Sequence, residues 1–273
     1  MKHILILAAL LAAVACGQKK AESKALVLYY SQTGTTKAVA EALQQQLGAD
    51  IEEIVAVNSY GEDFGATIAR GQKELQEGTL PEIQPIQADI ASYDVIFLGY
   101  PVWFGTYANP IATILDQVDF TGKKVVPFCT FGSGGLEESV AAIRQKLPEA
   151  EVLPGYGVRA ARIDAAPAEI ERFLKEGGFI PGEVAQLEAF SEFQPATEED
   201  AAIFDAAVGT YPMIQAVADQ VASRAVPGGK EYQFIAKDKP REGAPAFGGE
   251  PRTMKVHVLV EDGKDPVFTR VDR

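Results

Sequence analysis

Between Val27 and Leu43 the chain passes from an apolar run, Val27-Leu28-Tyr29-Tyr30, through Ser31-Gln32-Thr33-Gly34-Thr35-Thr36 and directly into Lys37-Ala38-Val39-Ala40-Glu41-Ala42-Leu43. Strand, small-residue loop and helix start follow one another without a spare residue, which predicts a βα unit. A helix N-terminus leaves its first backbone N–H groups unpaired and carries partial positive charge, so hydroxyls and amides gathered there favour a bound anion such as phosphate. A turn of small residues precedes the helix in many βα units, so this stretch alone leaves the anion open.

The same rhythm continues to about residue 176. Strands are predicted over 25–30, 50–55, 93–99, 124–130 and 151–158, with helices over 35–47, 64–76, 109–118, 136–147 and 167–176. That alternation calls for a parallel sheet wrapped by helices. Asp94-Val95-Ile96-Phe97-Leu98-Gly99 and Lys124-Val125-Val126-Pro127-Phe128-Cys129 are apolar without alternation, as expected of central strands buried on both faces. In open sheets of this kind ligands bind beyond the carboxyl ends of the strands, where the strand order reverses. The loops at 31–36, 100–107 and 130–135 lie at such ends.

These loops carry a resemblance. Tyr29-Tyr30-Ser31-Gln32-Thr33-Gly34-Thr35-Thr36, followed by Ala40, resembles the phosphate-binding signature of the flavodoxin family, whose cofactor is FMN. The stretch from Tyr93 to Gly105, ending Tyr100-Pro101-Val102-Trp103-Phe104-Gly105, is similar to the second flavin loop of one flavodoxin-like branch. Val126-Pro127-Phe128-Cys129-Thr130-Phe131-Gly132-Ser133-Gly134-Gly135 is similar to its third. The absence of a long insertion at Gly155-Tyr156-Gly157-Val158 places the likeness with short-chain members. The resemblance implies a flavodoxin-like doubly wound, five-stranded parallel sheet of order 2-1-3-4-5. It also implies an FMN site on Ser31, Thr33, Gly34, Thr35, Thr36, Pro101, Val102, Trp103, Phe104, Gly105, Thr130, Phe131, Gly132, Ser133, Gly134 and Gly135. The chemistry of these residues agrees: hydroxyls and amides around Gly34 suit a dianion without a lysine or arginine. A flavin ring needs aromatic walls, which Trp103, Phe104, Tyr107 and Phe131 can supply, and glycines that let backbone approach closely. Taken singly, Trp103 and Phe104 equally suit a core.

Other chemistries find little support. His3 falls in the leader described below, and His257, in the alternating Met254-Lys255-Val256-His257-Val258, is expected to be a solvated strand residue. No histidine triad or histidine-rich metal site can be assembled, Phe131–Gly135 lacks the spacing of a nucleophile elbow, and Cys129 at a buried strand end reads as core. The acids at Glu52-Glu53, Glu137-Glu138 and Glu198-Glu199-Asp200 read as solvated surface. No catalytic side chain is assigned; chemistry has to come from the cofactor. The formal charge of −13 argues against nucleic acid and bare anionic lipid as partners and leaves a basic protein surface as a suitable one.

Met1-Lys2-His3, an apolar run over residues 4–14 and Ala13-Val14-Ala15-Cys16-Gly17 resemble a bacterial lipoprotein signal, in which Cys16 is acylated and becomes the N-terminus. Ala13 stands where such signals more often carry leucine, and an ordinary secretory leader with Cys16 incidental fits the same residues. The reading is a signal peptide over 1–15 and a lipid-anchored tether over 16–24. The protein is then exported and held to a bacterial membrane, with Cys129 lacking a disulfide partner.

Residues 25–176 form the α/β domain and 177–196 a linker, in which 183–193 could form a short helix. Thr197-Glu198-Glu199-Asp200 has the pattern of an N-cap with acids in the first helical turn, opening a helix over 201–208. Strand candidates follow at 211–225, 231–237, 253–261 and 266–271, with a proline- and glycine-rich loop over 237–252. One helix and then antiparallel strands, with Ala225-Val226-Pro227-Gly228-Gly229-Lys230-Glu231-Tyr232-Gln233-Phe234 as the hairpin, resembles the cystatin-like fold over 197–273. Ala225 and Pro227 depart from the usual glutamine and valine of the protease-binding wedge, which argues for docking or packing over inhibition. The function expected is electron transfer or flavin-dependent reduction, with a redox protein or a small electron acceptor as partner. The alternative is a non-catalytic binding protein working through its C-terminal module.

Overall fold

The computed structural model describes residues 23–209, 211–239 and 252–272. The leader, Cys16 and most of the tether lie outside the described residues, as does most of the loop at 237–252. In chain order the first unit contains β1 (Ala25–Tyr29), α1 (Thr35–Leu47), β2 (Asp50–Glu53), α2 (Phe64–Glu77), β3 (Val95–Trp103) and β4 (Thr106–Tyr107). It continues with α3 (Asn109–Gln117), β5 (Lys124–Phe131), α4 (Leu136–Lys146), β6 (Glu151–Val152), β7 (Tyr156–Arg159) and α5 (Ala166–Glu176). The parallel sheet runs β2-β1-β3-β5, with β6 and β7 both on the far edge of β5 and β4 folded back on β3 as a hairpin. Counting β6 and β7 as one interrupted strand and setting the hairpin aside, the order is 2-1-3-4-5.

Alternate residues of the three central strands serve two cores, which is why these strands show no polar alternation. Leu26, Leu28, Ile96, Leu98, Tyr100, Val125 and Cys129 face α3 and α4, and meet Ile111, Ile114, Val140 and Ile143. Val27, Tyr29, Val95, Phe97, Val126 and Phe128 face α1 and α5, and meet Val39, Leu43, Ile170 and Leu174. Burial also pushes the Cys129 thiol far above its ordinary range, so it remains a neutral packing group.

The last strand, expected over 151–158 without a break, is split, and Pro127 explains the gap. The Val125 carbonyl accepts from Leu153 N (2.9 Å), so this side of β5 faces β6 and β7. Two residues on, proline has no N–H to offer on that same side, and pairing resumes only at Phe128 with Tyr156. Gly155 fills the gap, where a Cβ would lie 2.8 Å from the Pro127 carbonyl oxygen.

The second unit contains β8 (Gln194–Pro195), α6 (Glu198–Val208), β9 (Ala216–Val226), β10 (Gly229–Asp238), β11 (Thr253–Glu261) and β12 (Val267–Asp272), in an antiparallel sheet of order β12-β11-β10-β9-β8. Thr197 and Asp200 form a capping box at the start of α6. Phe204 and Val208 of this helix pack on Phe234, Val256, Val258 and Phe268. Pro227 and left-handed Gly228 (φ 75°) make the two-residue turn between β9 and β10.

Two expectations are corrected here. Residues 183–193 are not helical: the chain has no regular structure there, and from Ser191, whose N donates to Ser223 O (2.9 Å), it turns to pairing with β9 through Gln194–Pro195. His257 is not solvated: it is buried, and its Nε2 lies 2.6 Å from Asp272 Oδ2. Burial opposes ionisation of Asp272, but the hydrogen bond from His257 and the charge of Arg270 outweigh it and hold the carboxyl below its usual range. A carboxyl with a depressed folded-state pKa stabilises the fold above its unfolded pKa of about 3.9 and loses that contribution as pH falls through the folded value. Unfolding of wild type followed between pH 5 and 2 should therefore show an acid-dependent loss that is smaller in Asp272→Asn.

Candidate functional site

The loops after β1, β3 and β5 emerge side by side at the carboxyl ends of adjacent strands, with the reversal of strand order between β1 and β3. In the first, Gly34 is the N-cap of α1 in the left-handed conformation (φ 87°), and nothing lies within 4 Å of where its Cβ would be. The start of α1 is thus open at Gly34, which has no side chain of its own to cap the helix. Ser31 Oγ accepts from Lys37 N (3.2 Å), and the Thr33 and Thr35 hydroxyls lie 3.4 Å apart at the surface. Lys37 pairs with Glu53 (3.8 Å).

Thr36 and Thr130 are both buried, and their hydroxyls are 2.8 Å apart, which ties the first loop to the third. Removing one partner leaves a buried hydroxyl unpaired, whereas removing both is nearly neutral. Thr130→Val is expected to cost about 1–2 kcal/mol of stability, and adding Thr36→Val should recover most of it; urea unfolding of the single and double variants measures both.

The second loop is a tight hairpin. Val102 pairs with Tyr107 and Trp103 with Thr106, and Phe104 (φ 52°) and Gly105 (φ 82°) both take positive φ, as a type I′ turn requires. For Phe104 that conformation costs about 1–2 kcal/mol. Its partly exposed ring lies over Gly71 of α2, where a Cβ would be 3.1 Å away. Trp103 stands edge-on to Tyr60 (4.9 Å) and Tyr30 (5.9 Å), and Tyr107 edge-on to Tyr100 (6.3 Å). Pro101 O accepts from Ala108 N (3.2 Å), closing the base of the hairpin.

In the third loop, Phe131 is buried among the core residues facing α3 and α4, with Gly157 against its ring. Gly132, Ser133 and Gly134 run outward, and Gly135 (φ 107°) caps α4, close enough to Val102 that a Cβ would lie 2.6 Å from Cγ1. The second and third loops therefore touch.

A fourth segment on this rim was not apparent from sequence. Residues 58–61 are held by Arg70, whose Nη1 donates to Asn58 O (2.8 Å) and Ser59 O (2.9 Å), and by Gln32 Nε2, which donates to Gly61 O (2.6 Å). Glu74 gathers Arg70 Nε (2.8 Å), Tyr60 OH (2.6 Å) and Asn109 Nδ2 (2.7 Å) on one carboxylate. Burial pushes the Tyr30 and Tyr60 phenols well above their ordinary range, so both act as donors. The clue in the sequence was Gly71, a glycine inside a helical pattern, which makes room for Phe104.

The flavodoxin family model matches residues 24–167, more than half of the chain. The chain belongs to the flavodoxin family. Flavodoxin 1 of Escherichia coli K12 is 28% identical over 116 residues, covering 41% of this chain and 50% of its own. An NAD(P)H dehydrogenase (quinone) of Cupriavidus metallidurans is 35% identical over 97 residues, 35% of this chain and 46% of its own. The chain spans about half the length of these curated relatives. Among solved structures, a protein from Bacteroides eggerthii is 30% identical with a TM-score of 0.47, covering 55% of this chain and 98% of that one. A flavoprotein in complex with FMN from Lactobacillus acidophilus is 29% identical with a TM-score of 0.46, covering 52% of this chain and 97% of that one.

FMN is the cofactor of this flavodoxin family, and the first loop fits its phosphate. The helix start at Gly34 is open, three hydroxyls at Ser31, Thr33 and Thr35 stand around it, and no carboxylate occupies the loop itself. A shallow cavity of about 180 Å³ lined by residues 118–121 and 146–150 lies at the opposite, amino ends of the strands and takes no part in this site.

Proposed function

We propose that this protein is an FMN-dependent electron carrier or reductase, exported and lipid-anchored to a bacterial membrane on its periplasmic or cell-surface side. The observation that carries the reading is the convergence of three loops at the carboxyl ends of adjacent strands: an open anion-binding helix start at Gly34, an aromatic hairpin at Trp103-Phe104, and the glycine-rich backbone of residues 132–135. The flavin, when bound, supplies hydride and single-electron chemistry. The chain's own part is to bind and orient it. Ser31, Thr33 and Thr35, with the first amides of α1, hold the phosphate by neutral donors. Trp103 and Phe104 supply apolar wall on the side of α2, and the third loop brings backbone N–H groups to the polar edge of the ring.

The net acidic charge favours a basic redox protein, or a small electron acceptor reaching the ring edge. Acylation at Cys16 would anchor the protein, and the helix-then-strands order of the second unit supports a cystatin-like module. A second reading, a binding protein without chemistry, draws on the way the C-terminal sheet already engages the third loop. Titration of cofactor-free mature protein with FMN decides between them. The flavin reading expects quenched FMN fluorescence and shifted visible bands, and a protein that stays colourless would overturn it. Intact-mass measurement of the N-terminal peptide from membranes tests the anchor, since an unmodified Cys16 is incompatible with it.

A further inference from the structure

The C-terminal sheet meets the α/β domain at the third loop, and it does so through backbone. Val271 N, on β12, donates to Ser133 O (2.8 Å), and Gly134 and Val271 form a parallel bridge. Arg159, at the end of β7, donates from Nε to Gly132 O (2.8 Å) and from Nη1 to Phe268 O (2.9 Å). Its guanidinium lies over the rings of Phe268 (4.2 Å) and Tyr211 (4.9 Å). One planar cation thus bridges the third loop and β12. There is no room for slack: a Cβ on Gly134 would land on the Val271 carbonyl oxygen, and one on Gly132 would lie 3.2 Å from the Tyr211 hydroxyl.

In a trans peptide the C=O and N–H point in opposite directions. With the Gly132 carbonyl fixed on Arg159, the Ser133 N–H is turned away from Arg159. With the Ser133 carbonyl fixed on Val271, the Gly134 N–H is turned away from β12. We propose that the C-terminal module is part of the cofactor site, with Arg159 and β12 acting as a latch that orients the Ser133 and Gly134 N–H groups toward the flavin ring. Arg159 is here a positioning residue, acting through the loop. The inference rests on the FMN reading above and extends it: the second unit completes the ring-binding end of the site.

Two independent changes release the latch in the full mature chain. Arg159→Ala removes the bridge, and Val271→Pro removes the N–H that holds Ser133. The Val271 N–H points out of the sheet, so proline is compatible with the strand. Val271→Ala keeps the N–H and controls for the lost side chain. In cofactor-free protein, backbone order parameters at Ser133 and Gly134 should fall from about 0.85 to below about 0.6 in the two releasing variants and remain high in Val271→Ala. The Kd should rise about tenfold for both FMN and riboflavin, by the same factor, because the ring contacts and not the phosphate are affected. The visible bands of bound flavin should shift with them.

Folded releasing variants with unchanged order parameters, or with flavin affinities within about twofold of wild type, would overturn the latch. A loss in Val271→Ala equal to that in Val271→Pro would overturn it too, by showing that side-chain packing alone matters. If wild type binds neither flavin, the FMN reading falls together with the flavin half of this proposal. The order parameters then still decide whether the latch exists.

Discussion

Gly34→Glu is expected to weaken FMN binding by about a hundredfold or more while leaving riboflavin binding within a few fold of wild type. The helix start at Gly34 is open, so the new side chain has space, and its carboxylate sits where the phosphate belongs. Two like charges about 4 Å apart near a protein surface repel by about 4 kcal/mol, and a flexible glutamate can relieve part of that by swinging outward. What remains corresponds to at least two powers of ten. The positive φ of Gly34 adds about 1–2 kcal/mol of backbone strain, which lowers stability for both flavins alike. Comparing FMN with riboflavin by fluorescence titration isolates the phosphate. Equal affinity losses for the two would place the phosphate elsewhere, and retained FMN binding in the variant would rule out an anion at α1.

The second large effect concerns stability. Gly99 lies on β3 directly opposite Phe128 of β5, and the Phe128 ring lies over the place where a Gly99 side chain would project. Both residues belong to the face packed by α1 and α5, in the middle of the sheet, where neither strand can shift without breaking two ladders. Gly99→Ala is expected to cost about 3 kcal/mol, at the upper end for overpacking, read from the midpoint of urea unfolding at unchanged slope. Shortening the ring with Phe128→Leu should make the double variant less destabilised than the sum of the two single changes. Additive costs would mean that the ring is not what excludes the methyl group.

Much of the first unit was legible because its signals are contiguous. The run from Val27 to Leu43 contains a buried strand, a turn and a helix face in one reading, and α1 occupies Thr35–Leu47 as its periodicity implies. The split of the last strand depended on a single atom, the N–H that Pro127 lacks, and a proline in a central strand was the available clue. His257 was misread because alternation assigns a residue to a face but does not reveal that Asp272 covers it. At the candidate site, the turn glycines and the aromatic hairpin were visible as sequence. The bond between Thr36 and Thr130 was not, since the two lie 94 positions apart. Arg159 was even less apparent, an ordinary arginine after a strand whose carbonyl partner on Phe268 is 109 positions away. Gly134 had been explained by close approach of a cofactor, and the structure supplies a second reason, the carbonyl of Val271.

The way the C-terminal sheet is bordered has a consequence for how the protein behaves at high local concentration. A bare strand edge invites pairing with another chain, and a five-stranded antiparallel sheet has two such edges. Here the β12 edge is turned against Ser133 and Gly134, and along β9 the chain lays down Gln194–Pro195, flanked by the Ser191 and Ala196 amides bonded to Ser223 and Asp219. Among the described residues, then, one border of this sheet meets the third loop at Val271, and the other is a two-residue strand ending in a proline, which has no N–H to offer an incoming chain. Neighbouring copies in a concentrated solution would find little there onto which to add a strand.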